Sequence, residues 1–366
     1  MRLFTIAAMA VSAAAFGLGT ARPVQSAQPA KLSGPYLHDN LAVYFIHGPS
    51  AAGPVPLTLA EALAKGGVQV RETGSVNNLE IENTSTEDVF IQAGDIVKGG
   101  QQDRVLTISM ILPGKSGKVP IGSFCVEQGR WSKRGAEDVK QFASSADALP
   151  SREAKLAMKA PAKPVAEPAP PPSATGDTRR IITQRGGDDT SKRQGDVWAS
   201  VAGVQRKLSD KLGAQVAAPQ SASSLQLSLE NEKLKTTRAA YISGLQDKPA
   251  DGDIIGYVFA VNGKINSADQ YPSNGLFKKM WPKLLAASAT EAIGEAAKSP
   301  AAAQAVGAAP STIDVEQFLT LAEAGKSEEK PLGPLASQEL RNGDKALYIE
   351  ARRKDGAWVH RNYLAY

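Results

Sequence analysis

The spacing of apolar residues changes along the chain and divides it into regions of different character. Residues 41–126 carry strand patterns. The run Leu41-Ala-Val-Tyr-Phe-Ile46, bounded by Asn40 and by Gly48-Pro49, predicts a buried strand. Leu57-Thr58-Leu-Ala-Glu61-Ala-Leu63 sets Thr58 three residues before Glu61, a capping box that opens a short helix, and Gly66-Gly67 ends it. Val68-Gln-Val-Arg-Glu72 and Leu79-Glu-Ile-Glu-Asn83 alternate apolar and polar residues across a turn at Gly74 and Asn77-Asn78. Val89-Phe-Ile91, Arg104-Val-Leu-Thr-Ile-Ser-Met-Ile-Leu112 and Val119-Pro-Ile-Gly-Ser-Phe-Cys-Val126 add three strands; Pro120, which lacks an N–H, indicates an edge or a strand start.

The second half is mostly helical. Val197, Trp198, Val201, Val204, Leu208 and Leu212 recur at three- and four-residue steps, and a second helix is predicted from Leu227 to Leu245. Ile254-Ile-Gly-Tyr-Val-Phe-Ala-Val261 is a strongly apolar strand, and Asn262-Gly263 turns it back into Lys264-Ile-Asn-Ser-Ala268 as a hairpin. Phe277, Met280, Trp281, Leu284, Leu285 and Ile293 outline a long amphipathic helix, with Pro282 as a kink or a first-turn residue. Alanine-rich residues 296–310 read as a linker, and Ala346-Leu-Tyr-Ile-Glu350 with Trp358-Val-His-Arg-Asn362 form a hairpin about Lys354-Asp-Gly356. Strands and helices are segregated, so the expected class is α+β with a largely antiparallel sheet core in one domain spanning 28–366. A proline-rich insertion at about 145–190, with six prolines between Ala160 and Asp177, should be disordered because it cannot bury a core.

The chain begins like an export signal. Arg2 precedes an apolar, alanine-rich stretch from Leu3 to Ala15, with small-residue exits at Gly19-Thr20-Ala21 and Gln25-Ser26-Ala27, so residues 1–27 are expected to be a cleaved signal peptide. The expected address is periplasmic or secreted, with no membrane span after cleavage. The net charge of +5 includes Arg2 and Arg22 and falls to +3 without residues 1–27. The remaining basic residues are interspersed with acids, which argues against nucleic acid and against a polybasic membrane patch. One cysteine, Cys125, rules out an intramolecular disulfide. Three histidines without a CxxC or HxxxH spacing disfavour structural zinc. A carboxylate-only calcium or magnesium site stays open, although no segment resembles an EF-hand loop; no metal ligand and no cofactor are assigned.

Familiar catalytic signatures fail. Gly114-Lys115-Ser116 and Gly325-Lys326-Ser327 end like P-loops, but Ser109 and Thr320 stand where the first glycine is required. No G-x-S-x-G elbow or H-E-x-x-H pair occurs. Two polar segments between strands remain. In Gly94-Asp95-Ile-Val-Lys98-Gly99-Gly100-Gln101-Gln102-Asp103-Arg104, the glycine pair permits close backbone approach, and two amides, a carboxylate and a guanidinium follow. That mixture suits a ribose diol, a base edge or a phosphate, or it is a solvated turn. In Cys125-Val-Glu127-Gln128-Gly129-Arg130-Trp131, Cys125 and Glu127 share one strand face and Arg130 follows. Cys125 is either a thiolate nucleophile beside a guanidinium or a small core hydrophobe. Asp269 faces a cleft or begins a turn, and Gln194-Gly-Asp196-Val-Trp198 reads chiefly as a helix start.

Taken in order, these segments resemble the ARG and rhodanese-phosphatase-superfamily-associated protein domain, an uncharacterised bacterial family. The resemblance also rests on Val261-Asn-Gly-Lys-Ile265, Ala268-Asp269 and Trp281-Pro-Lys-Leu-Leu285, and it spans about residues 35–366. Gln102-Asp103 departs from a Gln-Asn pair. The association with ADP-ribosylglycohydrolase and phosphatase domains implies ligands derived from ADP-ribose or nucleotides. Three functions are compatible with the residues. The first is a domain binding a polar sugar- or nucleotide-like molecule through Gly99, Gly100, Gln101, Gln102, Asp103, Arg104, Glu127, Arg130 and Asp269. The second is a hydrolase with Asp103 or Glu127 as general base, or Cys125 as nucleophile, and Arg104 or Arg130 stabilising negative charge. The third is an envelope interaction protein whose proline-rich segment reaches a protein partner.

Overall fold

The computed structural model describes residues 31–159, 189–296 and 307–366. The expected signal peptide, residues 160–188 of the expected insertion and residues 297–306 of the expected linker lie outside them. In chain order, β1 (Lys31–His38), β2 (Leu41–His47) and β3 (Leu57–Thr58) lead into α1 (Leu59–Ala64). Then come β4 (Val68–Ser75), β5 (Asn78–Asn83), β6 (Val89–Ile91), β7 (Asp95–Gly99), β8 (Arg104–Leu106), β9 (Met110–Leu112), β10 (Gly117–Cys125) and β11 (Phe142–Ala148). Five helices and two strands follow: α2 (Arg152–Lys159), α3 (Asp189–Leu212), α4 (Leu225–Leu229), α5 (Glu232–Leu245), β12 (Ile254–Val261), β13 (Lys264–Gln270) and α6 (Asn274–Glu295). The chain ends with α7 (Thr312–Glu323), β14 (Lys326–Leu332), β15 (Ala336–Asn342), β16 (Ala346–Arg353) and β17 (Trp358–Ala365). The fold is α+β with large antiparallel sheets.

An eight-stranded sheet runs in the order β1-β2-β12-β13-β17-β16-β15-β14. β2 and β12 lie inside it and are covered on both faces, which is why they read as unbroken apolar runs rather than alternating ones. Leu41, Val43 and Phe45 face one core, where Phe277 and Trp281 of α6 meet the Phe45 ring edge-on. Ala42, Tyr44 and Ile46 face the opposite core against Val315, Leu319 and Ala322 of α7. Asn262 and Gly263 both take positive φ, 53° and 74°, between the paired ends Val261 and Lys264, so the sequence signal for a tight hairpin turn is realised. Pro282 lies inside α6, not in its first turn, and the helix continues through it.

A second layer contains a six-stranded sheet, β11-β7-β8-β10-β5-β4, and a three-stranded sheet, β3-β6-β9, around their own core. The predicted capping box holds α1: Thr58 accepts from the Glu61 N–H, and Glu61 accepts from the Thr58 N–H. Pro120 falls where β10 pairs with β5, while β8 takes up the other edge only from Ser123.

Several expectations need correction. The single strand expected over 104–112 is two strands, β8 and β9, in different sheets. The chain leaves the ladder at Thr107-Ile-Ser109, where the Ser109 hydroxyl accepts from the Ala93 N–H and bonds His360. The helix expected from Leu227 to Leu245 is α4 and α5, because Asn231 caps a new helix by accepting from the Lys233 and Leu234 N–H groups. Residues 145–159, assigned to the disordered insertion, are ordered as the end of β11 and as α2, whose Ala154 and Met158 are buried. Residues 95–99, read as part of a polar connection, form β7.

Phe45 touches Tyr36, Phe277 and Trp281 at the centre of the larger core. Replacing it with alanine is expected to lower the unfolding free energy by about 3–5 kcal/mol in urea denaturation, because the site sits between a sheet and a helix that cannot close the void.

Candidate functional site

The glycine-flanked loop joins β7 to β8. Gly99 and Gly100 take φ of 107° and 54°. A Cβ on Gly100 would stand 2.4 Å from the Phe142 ring and 2.7 Å from Glu72 Oε1, so only glycine lets the loop press against both. Gln101 then donates its N–H to Glu72 Oε1 at 2.9 Å. Asp103 closes the loop by accepting the Gly99 N–H at 2.9 Å. Its own N–H reaches Glu127 Oε2 at 2.9 Å, which ties this loop to the segment following β10.

Of the four charged residues that stand out in the two separated segments, Asp103, Glu127 and Arg130 lie within one buried cluster, and Arg104 turns to Glu72 on the other side of the loop. Arg134, which no sequence signal marks, joins the two acids. Arg134 donates to both oxygens of Asp103, at 2.8 and 2.9 Å, and to Glu127 Oε1 at 3.2 Å. Arg130 donates through Nε to Glu127 at 2.7 Å and through its Nη groups to the carbonyls of Gly99 and Gly100. Ser224, at the N-cap of α4, donates its hydroxyl to Asp103 Oδ2 at 2.7 Å. Asp103 and Glu127 are both wholly buried, and each of their carboxylate oxygens accepts at least one hydrogen bond. A general base needs a lone pair within reach of a substrate proton, and this geometry leaves neither carboxylate with an unoccupied oxygen.

Electrostatics agree with that packing. Burial by itself would raise the Glu127 carboxyl, but hydrogen bonds from Arg130, Ser221 and the Asp103 N–H hold it below the ordinary carboxylate range. Burial would likewise depress the Arg134 guanidinium, and Asp103, Glu137 and Glu127 instead hold it well above its usual value. Cys125 is fully buried, and burial pushes its thiol up to about 11, a protonated group unsuited to nucleophilic attack near neutral pH. Its main chain is bonded on both sides by the Gln194 amide of α3 at 2.9 Å, so Gln194 acts as a one-residue continuation of the ladder rather than as a helix start.

On the other side of the loop the polar groups are not saturated. Arg104 is wholly buried, donates to the Gln102 carbonyl at 2.8 Å, and meets Glu72 Oε1 at only 3.4 Å. Arg104 Nε, Glu72 Oε2 and Gln101 Oε1 are buried without a partner. Trp131, 48% exposed, covers the Arg104 guanidinium with its ring centroid 5.6 Å away. Glu72 and Trp131 were not named as site residues. An acid ending an alternating strand and an aromatic following a loop carry no distinguishing signal by themselves.

Asp269 has a different set of neighbours. Its Oδ1 accepts from His360 at 3.0 Å and from Asn362 at 2.9 Å. Burial alone would raise its carboxyl, and these two partners together with Lys155 hold it below the usual range. His360 Nδ1 lies 2.9 Å from Ser109 Oγ, giving a Ser-His-Asp order. Ser109 is 3% exposed and its oxygen already accepts from Ala93, so this line links the smaller sheets to the large one. His47, Asp251 and Asp253 are the one group among the described residues whose atoms are close enough to share a metal ion. Both His47 nitrogens are already bonded, to Asp253 and to Ser33, and Lys31 approaches Asp253 at 3.5 Å. Two surface depressions, one beside Glu291 and Lys207 and one of about 510 Å³ beside Trp281 and Lys278, are lined by none of the loop residues. No helix among the described residues is long and apolar enough to cross a membrane.

The family model of the ARG and Rhodanese-Phosphatase-superfamily-associated Protein domain matches residues 30–364. No curated protein and no solved structure matches the chain.

Replacing Arg134 with alanine removes the guanidinium paired with both oxygens of buried Asp103 and is expected to cost about 3–5 kcal/mol of stability in denaturant titration. Because the Glu127 carboxyl is depressed in the folded state, its contribution is full above the unfolded carboxyl value of about 4.3 and fades as pH falls through the folded value. Glu127→Gln should therefore be less stable than wild type at pH 7, with the gap closing below about pH 4. Cys125 should resist a thiol reagent at pH 7.5 in the folded protein and react at once in denaturant.

Proposed function

The chain belongs to the ARG and Rhodanese-Phosphatase-superfamily-associated Protein domain family, and for this member we propose an exported domain that binds a polar small molecule, sugar- or nucleotide-like, at the Gly99–Arg104 loop. One observation carries the reading. Arg104 Nε, Glu72 Oε2 and Gln101 Oε1 are buried and unpartnered, and a half-exposed tryptophan lies over Arg104. The large majority of buried side-chain polar groups are paired, and each unpaired one costs about 1–3 kcal/mol. A ligand that pairs them recovers that cost on binding, and an indole supplies a face on which a ring can stack. Asp103, Glu127, Arg130 and Arg134 form the frame behind the site and hold the loop whose Gln101 N–H and Arg104 both approach Glu72 Oε1. Hydrolysis by Asp103 or Glu127 has less support, since a proton acceptor must first break an ion pair.

Export is supported by Arg2, the apolar stretch after it and the small residues up to Ala27. Protein recovered from the periplasm should begin at or near Gln28, as N-terminal sequencing would read; a product retaining Met1 contradicts export.

Binding is tested by calorimetry with sugars, nucleosides and nucleotides, including ADP-ribose. At least one should release heat, and Trp131→Ala, at an exposed position, should weaken that ligand at least tenfold without changing the melting temperature. Absence of heat from every compound, or binding indifferent to Trp131, contradicts the proposal.

A further inference from the structure

The three unpartnered groups at this loop are not equivalent, and their chemistry restricts what meets them. This inference rests on the binding reading above. Glu72 Oε2 and Gln101 Oε1 accept hydrogen bonds, and Arg104 Nε donates one. The two Nη groups of Arg104 each make one bond, Nη1 to the Gln102 carbonyl and Nη2 toward Glu72 Oε1. Glu72 also sits against the guanidinium as its counter-ion, with its side chain only 6% exposed. A phosphate would bring only acceptors and negative charge to a face that already holds a carboxylate, and would leave Glu72 Oε2 and Gln101 Oε1 without a donor. The complement needed is two donors and one acceptor within a single small group. Two adjacent hydroxyls provide it, because each O–H rotates to its own acceptor while either oxygen takes the proton of Arg104 Nε. The flat, C–H-lined face of the ring bearing them suits the Trp131 indole that covers Arg104.

We propose that this loop recognises the vicinal diol of a sugar ring, and that phosphate and base, where the ligand has them, lie outside the contact with Glu72, Gln101 and Arg104. Glu72 thereby becomes the specificity residue of the site: its free oxygen holds one hydroxyl, while its other oxygen fixes the Gln101 N–H and faces Arg104.

Tryptophan fluorescence titrations of the full chain with methyl β-D-ribofuranoside, its 2-deoxy, 3-deoxy and 2,3-dideoxy analogues, adenine and inorganic phosphate test this, because the locked five-membered ring carries its one vicinal diol at C2 and C3. The ribofuranoside should bind, and each deoxy analogue should bind at least tenfold more weakly, because a missing hydroxyl leaves a buried acceptor unpaired. Glu72→Gln should weaken the diol sugar at least tenfold and narrow its advantage over the deoxy sugar. The comparison of sugars on wild type stands even if that variant folds poorly. Equal binding of sugar and deoxy sugar, or Trp131-dependent binding of phosphate or adenine alone, overturns the diol inference and leaves the binding site standing. A lack of response to all six probes, or responses unchanged in Trp131→Ala, overturns the inference and counts against the binding reading beneath it.

Discussion

The site is organised by one guanidinium shared between two buried carboxylates. Arg134 meets Asp103 on both oxygens and reaches Glu127 as well, and all three side chains are removed from water. Ionised groups cannot be buried at tolerable cost unless paired and hydrogen-bonded in full, so this triad admits little freedom. Its consequences spread outward. Asp103 fixes Gly99, Glu127 fixes the Asp103 N–H, and Arg130 completes Glu127 while binding the two glycine carbonyls. Two loops and the start of α4, far apart in the chain, become one rigid piece.

That rigidity separates the cluster into two roles that residue type alone would merge. Asp103, Glu127 and Arg130 have the composition of an acid–base site and the connectivity of a scaffold, since their bonds are spent on one another. Arg104 and Glu72 have a loose contact and atoms left over, held beneath an aromatic ring. Pre-organised polar groups with unmet hydrogen bonds favour ligand binding, because the cost of arranging them has already been met during folding. The Ser-His-Asp line at Ser109, His360 and Asp269 shows the same distinction from the other side. Its order resembles a nucleophile relay, yet its burial makes it a tie between sheets.

Local signals in the sequence translated well into local structure. The capping box at Thr58 and Glu61 and the Asn262-Gly263 turn each depend on residues a few positions apart, and both formed as read. The two polar segments were visible for the same reason: glycine pairs and mixed charges are rare between apolar strands. Tertiary links were not legible. Arg134 lies in a stretch without periodicity, Glu72 looks like any polar residue of an alternating strand, and Ser224 looks like an ordinary helix cap. Their importance arises from partners between 31 and 121 residues distant. The break between β8 and β9 was missed because Ser109 leaves its ladder for a histidine 251 residues away, which no window of local pattern includes. The ordered start of the expected insertion was hidden by composition, since α2 has a short, weakly apolar sequence and owes its place to Ala154 and Met158 packing on the core.

The Arg104 Nε–H offers the most direct test of the whole account. A guanidinium N–H buried without a partner, beneath an indole, should exchange slowly enough to give its own proton–nitrogen NMR signal, identified by its loss in Arg104→Lys. This signal should shift as a diol sugar is added and saturate together with the change in Trp131 fluorescence. A signal that stays in place while the sugar binds would show that ligands meet the protein elsewhere, and would contradict the site described above.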